Sequence, residues 1–257
     1  MAIAKRAIRV RHIWIGGDEP CICAPVVGAD AGQVLGEARQ IVEKKPHLIE
    51  WRADFFEAIH DEREVAATAK EMRMIAGDIP ILFTVRSERE GGRPIPLTEE
   101  EKMRLFETVC QSGAIDLLDY ELVHEPYVPA VRELTRRYGV RLVLSYHNFD
   151  DTPSKEELVA KMRQAEQCGA DIAKAAVMPK TRGDVLVLLQ ATEEARQEVE
   201  IPLITMSMGS LGAITRLAGG LFGSTVTFAV GQQSSAPGQI PIEDVRTALS
   251  VIMKYGQ

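Results

Sequence analysis

The sequence predicts an α/β protein built as a single (β/α)8 TIM barrel, and three observations lead there. Eight short β-rich runs alternate with amphipathic helical stretches along 257 residues, a count and length that fit such a barrel. No linker or shift in composition interrupts the chain, so one domain covering residues 1–257 is expected. A doubly wound sheet would more often carry a Gly-rich phosphate turn after its first strand, and Val27-Gly28-Ala-Asp-Ala-Gly32 is not that fingerprint.

Taken in order, Ile8–Ile15 followed by Gly16-Gly17-Asp18 reads as one arm of a β-hairpin leading into Cys21–Val27, an N-terminal β-hairpin closing the bottom of the barrel. The barrel strands are Cys21–Val27, Leu48–Asp54, Ile81–Arg86, Ile115–Leu122, Arg141–Phe149, Asp171–Met178, Leu203–Met208 and Thr225–Val230. Between them, Thr98–Ser112 opens on Thr-Glu-Glu-Glu and Ser154–Cys168 on Ser-Lys-Glu-Glu, both capping boxes, and Gly169 ends the second helix.

Composition narrows the function. The chain is 46% hydrophobic and 26% charged, enough for a full core, and its net charge of -7 with interspersed basic residues offers no stripe for nucleic acid. No apolar run reaches about 18 residues, and Met1-Ala-Ile-Ala-Lys-Arg lacks a secretory stretch, so no membrane partner and a cytoplasmic location are expected. Cys21, Cys23, Cys110 and Cys168 show neither zinc nor disulfide spacing and read as reduced thiols.

In a barrel the reactive groups lie at the C-terminal ends of the strands. Lys174 sits inside the apolar run Asp171–Pro179 with no carboxylate nearby in sequence. A buried ammonium is costly, and a neutral amine there would attack a carbonyl carbon. The structural alternative is a lysine whose stem packs while its head finds an acid or water. Glu50, Arg52 and Asp54 alternate on one face of the second strand, an inward ionisable trio that suggests function more than stability. Arg86 ends the third strand, and the glycines of Ser87–Gly92 would let a loop carry Glu90 over the mouth. Asp119 and Glu121 are expected partners for the inward Arg and Lys groups. His147, late in the fifth strand, is the natural general acid and base. Met206 and Met208 form an apolar wall, Arg216 falls in a short helical turn, and Gly231–Gln239 suits a closing lid. A metal site through Asp54, Asp119, Glu121 and His147 is disfavoured, because inward arginines would compete for the carboxylates.

Seven motifs, in order, resemble the type I 3-dehydroquinate dehydratase family over nearly the whole chain. They are Glu50-Trp-Arg-Ala-Asp54, Thr84-Val-Arg-Ser-Glu-Arg-Glu-Gly-Gly92, Ser145-Tyr-His-Asn-Phe149, Lys174-Ala-Ala-Val-Met-Pro179, Thr205-Met-Ser-Met-Gly209, Arg216-Leu-Ala-Gly219 and Ser235-Ala-Pro-Gly-Gln239. The resemblance implies that Lys174 forms a Schiff base with the C3 ketone of 3-dehydroquinate. His147 would take the C2 proton and return one to the departing C1 hydroxyl, with Glu90 paired to the histidine. It implies that Glu50 orients the lysine or a hydroxyl, that Arg52 and Arg86 bind hydroxyls and balance the acids, and that Arg216, Ser235 and Gln239 hold the carboxylate. Met206, Met208, Phe228 and Ala236 would complete the pocket. No cofactor and no metal are implied, a homodimer is, and aromatic biosynthesis is the commoner setting. An inward lysine alone would fit a class I aldolase as well. Since only about 10⁻³ of an ordinary lysine is neutral at pH 7, desolvation and nearby arginines are expected to lower Lys174. Pro25 stands where the family often has Ser, and the doubled Ser234-Ser235 leaves open which serine meets the ligand.

Overall fold

The computed structural model describes residues 5–255. Met1–Ala4, the start of the segment read for a secretion signal, and residues 256–257 lie outside the described residues. Two short strands, β1 (Ile8–Val10) and β2 (Ile13–Ile15), precede the barrel. The barrel is β3 (Cys21–Val26), β4 (Leu48–Arg52), β5 (Ile81–Thr84), β6 (Leu117–Glu121), β7 (Arg141–Asn148), β8 (Ile172–Val177), β9 (Leu203–Ser207) and β10 (Val226–Phe228). Its connecting helices are α1 (Ala31–Glu43), α2 (Glu62–Ala76), α3 (Glu99–Gln111), α4 (Val128–Tyr138), α5 (Lys155–Gln167), α6 (Arg182–Glu198), α7 (Gly209–Phe222) and α8 (Ile242–Tyr255).

Every neighbouring pair from β10 through β3 to β9 is parallel. The ring closes where a parallel bridge joins Leu203 to Ser224 and the Thr225 N–H donates to the Leu203 carbonyl at 2.7 Å. All eight expected strands are present, and the capping boxes at Thr98 with Glu101 and Ser154 with Glu157 start α3 and α5 as read. The strand ends fall one or two residues short. β4 stops at Arg52 because Ala53–Phe55 coils into a 3-10 turn, which carries Asp54 off the ladder.

Alternation sorts the strand residues between two cores. Ile49, Trp51 and Phe83 face the helices, with Trp51 edge-on to Phe56 and Phe83 at 5.6 and 5.3 Å. Inside the barrel, Cys23, Leu48, Leu82, Leu117, Val143 and Ile172 fill the lower part and rest on Ile8, Val10, Ile13 and Ile15. The plug is a correction in detail: Ile8–Ile15 supplies both arms of a hairpin, not one arm paired with Cys21–Val27. The chain reverses at Arg11-His12, with Arg11 left-handed at φ 53°, which turns the apolar residues of both arms to one side. Arg216 also differs from expectation, lying well inside the 14-residue helix α7. Two of the glycines that make this segment look broken are points of close packing: a Cβ on Gly212 would lie 2.3 Å from the Ser207 carbonyl carbon, and one on Gly220 2.4 Å from Pro20 Cγ.

Replacing fully buried Ile15 with Ala should lower the unfolding free energy by about 2–5 kcal/mol in a denaturant titration, through the cavity left under the barrel. A loss below about 0.5 kcal/mol would mean that the hairpin is not a packed plug.

Candidate active site

Above the apolar plug, the inward face turns charged. Glu50, Asp119 and Lys174 occupy the next inward positions of β4, β6 and β8, all buried. The Lys174 Nζ lies 3.1 Å from Asp119 Oδ2, 3.5 Å from Glu50 Oε1 and 4.6 Å from the centre of the Phe228 ring. The ion partners of the lysine are therefore two carboxylates from other strands, Asp119 as expected and Glu50 beside it, and no arginine contacts its ammonium among the described residues. Glu50 also accepts from the Thr84 hydroxyl at 3.0 Å.

Arg86 is the hub of the acids. It reaches Asp119 at 2.7 Å, Glu121 at 3.1 Å, Ser145 Oγ at 2.8 Å and Glu90 at 3.5 Å. Burial pulls its guanidinium down, but Asp119, Glu121, Glu90 and Glu50 outweigh that and hold it above its ordinary value. Burial likewise raises Asp119, yet Arg86 and Lys174 win and bring it to about 2. Arg52 forms a two-pronged pair with Asp54, both contacts at 2.8 Å. The carboxylates proposed as metal ligands are thus each engaged by a cation.

The expected loop acid Glu90 is not solvated. Ser87 caps a short turn over Glu88–Glu90 and folds the carboxyl back onto the barrel, where it is 3% exposed. Gly91 follows at φ 83°, and a Cβ there would meet the Phe149 ring at 2.2 Å. Glu90 Oε2 lies 2.8 Å from His147 Nδ1 and accepts the His147 backbone N–H at 3.1 Å. Burial, with Arg86, Lys174 and Arg52, pushes the imidazole well below its ordinary 6.5. Burial also lifts Glu90 to about 8, so desolvation favours the uncharged form of both partners, and one hydrogen bond joins Nδ1 to Oε2. Oε2 already faces the backbone N–H and an Arg86 N–H, so it is better placed as an acceptor, and the proton belongs on Nδ1. Nε2 is left with a free lone pair, the form a general base requires.

Glu50, Arg52, Arg86, Glu90, His147, Lys174, Met206, Met208, Phe228, Ser235, Ala236 and Gln239 line one cavity. Arg216 is the expected site residue that does not line it. Its guanidinium lies behind the wall, donating to the Phe228 carbonyl at 3.3 Å and the Pro237 carbonyl at 3.1 Å and touching Met206 Sδ at 3.5 Å. Its Nε has no partner and no carboxylate lies within ion-pair distance among the described residues. Burial alone lowers it to about 10. Ser235 faces the cavity and exchanges hydrogen bonds with Gln239, while the Ser234 hydroxyl, which does not line the cavity, is shared between the Ala236 carbonyl at 2.7 Å and Gln239 Oε1 at 3.2 Å. Pro25 is buried beside Glu50 and brings no hydroxyl. Gly91, Phe149 and Ala176 also line the cavity and were missed. Ala176 could have been found by counting two along the strand from Lys174.

The sequence profile described as Type I 3-dehydroquinase matches residues 22–255. The 3-dehydroquinate dehydratase of Geobacillus thermodenitrificans is 83% identical over 257 residues, all of both chains. The crystal structure of 3-dehydroquinate dehydratase from Geobacillus kaustophilus superposes with a TM-score of 0.99 at 66% identity, covering all of both chains. That of type I 3-dehydroquinate dehydratase from Clostridium difficile, with covalent modified comenic acid, gives 0.93 at 37% identity over 97% of this chain and 98% of that one.

In a ¹⁵N histidine NMR titration, His147 should stay the neutral Nδ1–H tautomer as pH falls through 6.5, because its shift is downward. A midpoint at or above 6.5 would contradict the desolvated pair.

Proposed function

Since the chain belongs to the type I 3-dehydroquinase family and is a hydro-lyase, a 3-dehydroquinate dehydratase, we propose that it forms 3-dehydroshikimate through a Schiff base on Lys174, with His147 moving the protons. One observation carries this reading: the Lys174 amine and the His147 imidazole line the same cavity from adjacent strands, two residues apart in register. An amine and a neutral imidazole so placed can act on neighbouring carbons of one ring.

Attack on the C3 ketone needs the amine lone pair, so a proton must first leave Nζ. Asp119, held near 2, is a poor acceptor, and Glu50 at 3.5 Å is the other carboxylate within reach of the amine. Once the iminium forms, the nitrogen is again cationic and Asp119 at 3.1 Å balances it. The iminium draws electrons from C2, whose proton passes to His147 Nε2, and the enamine stores the pair. The imidazolium is steadied through Nδ1–H by Glu90 and delivers the proton to the C1 hydroxyl, which leaves as water. One group doing both jobs requires the proton and the hydroxyl on the same ring face. Hydrolysis of the imine then returns the lysine.

Arg216 is the carboxylate clamp in this reading. A guanidinium without an anion, capped by the Pro237 carbonyl of the lid, is supported as the place where the substrate carboxylate lands. Arg52, Arg86, Ser235 and Gln239 position hydroxyls and the acid end, and Met206, Met208, Phe228 and Ala236 wall the ring. The covalent modification named for the Clostridium difficile relative supports covalent chemistry on the shared scaffold. The same reading takes residues 1–257 as one domain without cofactor, acting in the cytoplasm on the shikimate pathway to aromatic amino acids. No helix among the described residues is long and apolar enough to cross a membrane. A homodimer belongs to the proposal, supported by exposed Leu211, Ile214 and Leu221 along α7 beside Leu186 of α6.

With 3-dehydroquinate, enone absorbance should appear at the same rate with and without chelator. His147→Ala should lower kcat by about 10²–10⁴. Arg216→Ala should raise KM by about ten- to a hundredfold with a smaller change in kcat. Near wild-type turnover in the first variant, or an unchanged KM in the second, would remove the role assigned to that residue.

A further inference from the structure

Asp54 takes no part in the chemistry proposed above, yet its carboxylate is where three segments meet. It ends the run from β4 and is buried, 4% exposed. Both of its oxygens accept from Arg52, Nε and Nη2 each at 2.8 Å. The remaining lone pairs accept backbone N–H groups from either end of the loop that carries Glu90: Arg86 at 3.3 Å and Arg93 at 3.2 Å. Arg52 in turn donates through Nη1 to the Ser235 carbonyl of the lid at 3.2 Å. The Phe55 ring fills the space between, with the Arg52 and Arg93 guanidinium carbons 5.2 and 4.9 Å from its centre.

From this geometry we propose that Asp54 is a positioning residue that couples the two covers of the cavity, the Glu90 loop and the lid, by fixing Arg52 between them. The inference rests on the reading that Arg52 meets the substrate. A planar guanidinium held at two donors by one carboxylate has its remaining edge aimed in a single direction. That edge reaches the lid carbonyl, and Arg52 lines the cavity. The same carboxylate pins Arg86 and Arg93 at their backbones, so the Glu90 loop cannot shift without disturbing the group that fastens the lid. Binding and cover closure are thereby tied to one buried carboxylate, whereas the proton transfer by His147 and Glu90 does not pass through it.

Asp54→Asn keeps the shape, but turns one acceptor oxygen into an NH₂ group facing the Arg52 donors and removes the charge. In the full-length variant KM should rise about tenfold while kcat changes less than about threefold. Amide hydrogen exchange should quicken both in residues 232–239 and in residues 88–93. A folded variant with wild-type KM and exchange, or one that only melts at a lower temperature, would overturn the coupling. If that variant does not fold, Arg52→Lys decides: it leaves Asp54 to hold the Arg86 and Arg93 N–H groups. It should therefore raise KM and speed exchange in the lid alone, and wild-type KM and lid exchange would overturn the proposal. A wild-type chain that fails to dehydrate 3-dehydroquinate would instead sink the functional reading, and the exchange data would still judge the coupling of the two covers.

Discussion

The site depends on how four buried cations at one end of the barrel are supplied with anions. Burying each charge costs several kcal/mol unless partners and hydrogen bonds compensate. Arg52 is matched by Asp54, Arg86 by Asp119 and Glu121, and Lys174 by Asp119 and Glu50. Arg216 is left with carbonyls and a thioether. Three cations are thus paired within the protein, and the fourth is the one the proposed reading leaves for an anionic ligand. The pairing also explains why Lys174 can sit in an apolar strand, since its counter-charges lie across the barrel rather than along the chain.

The same desolvation acts on His147. In water a histidine beside a carboxylate gains affinity for a proton, but here burial and three cations push His147 the other way. The imidazole stays neutral, and Glu90 fixes which nitrogen is bare. The folding of Ser87–Gly92 over the mouth is what excludes water from this pair, and Gly91 permits it by leaving room for Phe149. Backbone conformation, burial and protonation form one chain of cause here, with the lid latched by Arg52 and Arg216 on the opposite side.

Much of this was legible in the sequence because a barrel has a simple code. Period-two alternation placed Glu50 and Arg52 inward, and capping residues such as Thr98 and Ser154 marked helix starts. His147 and Lys174 stood out as polar groups late in otherwise apolar strands. What stayed hidden depends on register between strands and on loop paths. Asp119 was an expected partner of the inward cations, but which cation it meets is set by register, and it reaches Lys174 from β6, two strands away around the barrel. Glu90 was expected over the mouth and paired with His147 only through the family resemblance, because the hydrogen bonds that turn it inward involve the backbone. Arg216 read as part of a short turn because Gly212, Gly219 and Gly220 weaken helix propensity, and tertiary packing overrides that. The hairpin was placed but its turn was not, since Gly16-Gly17 is the stronger turn signal and the chain reverses at Arg11 instead.

The central claim is that Lys174 is the amine that bonds to the substrate. The most direct measurement is to mix the protein with 3-dehydroquinate, add borohydride and map the product by peptide mass spectrometry. A stable secondary amine should form on Lys174, with loss of activity in proportion to labelling. Unmodified Lys174 in protein that turns over normally, or an adduct confined to another lysine, would contradict it.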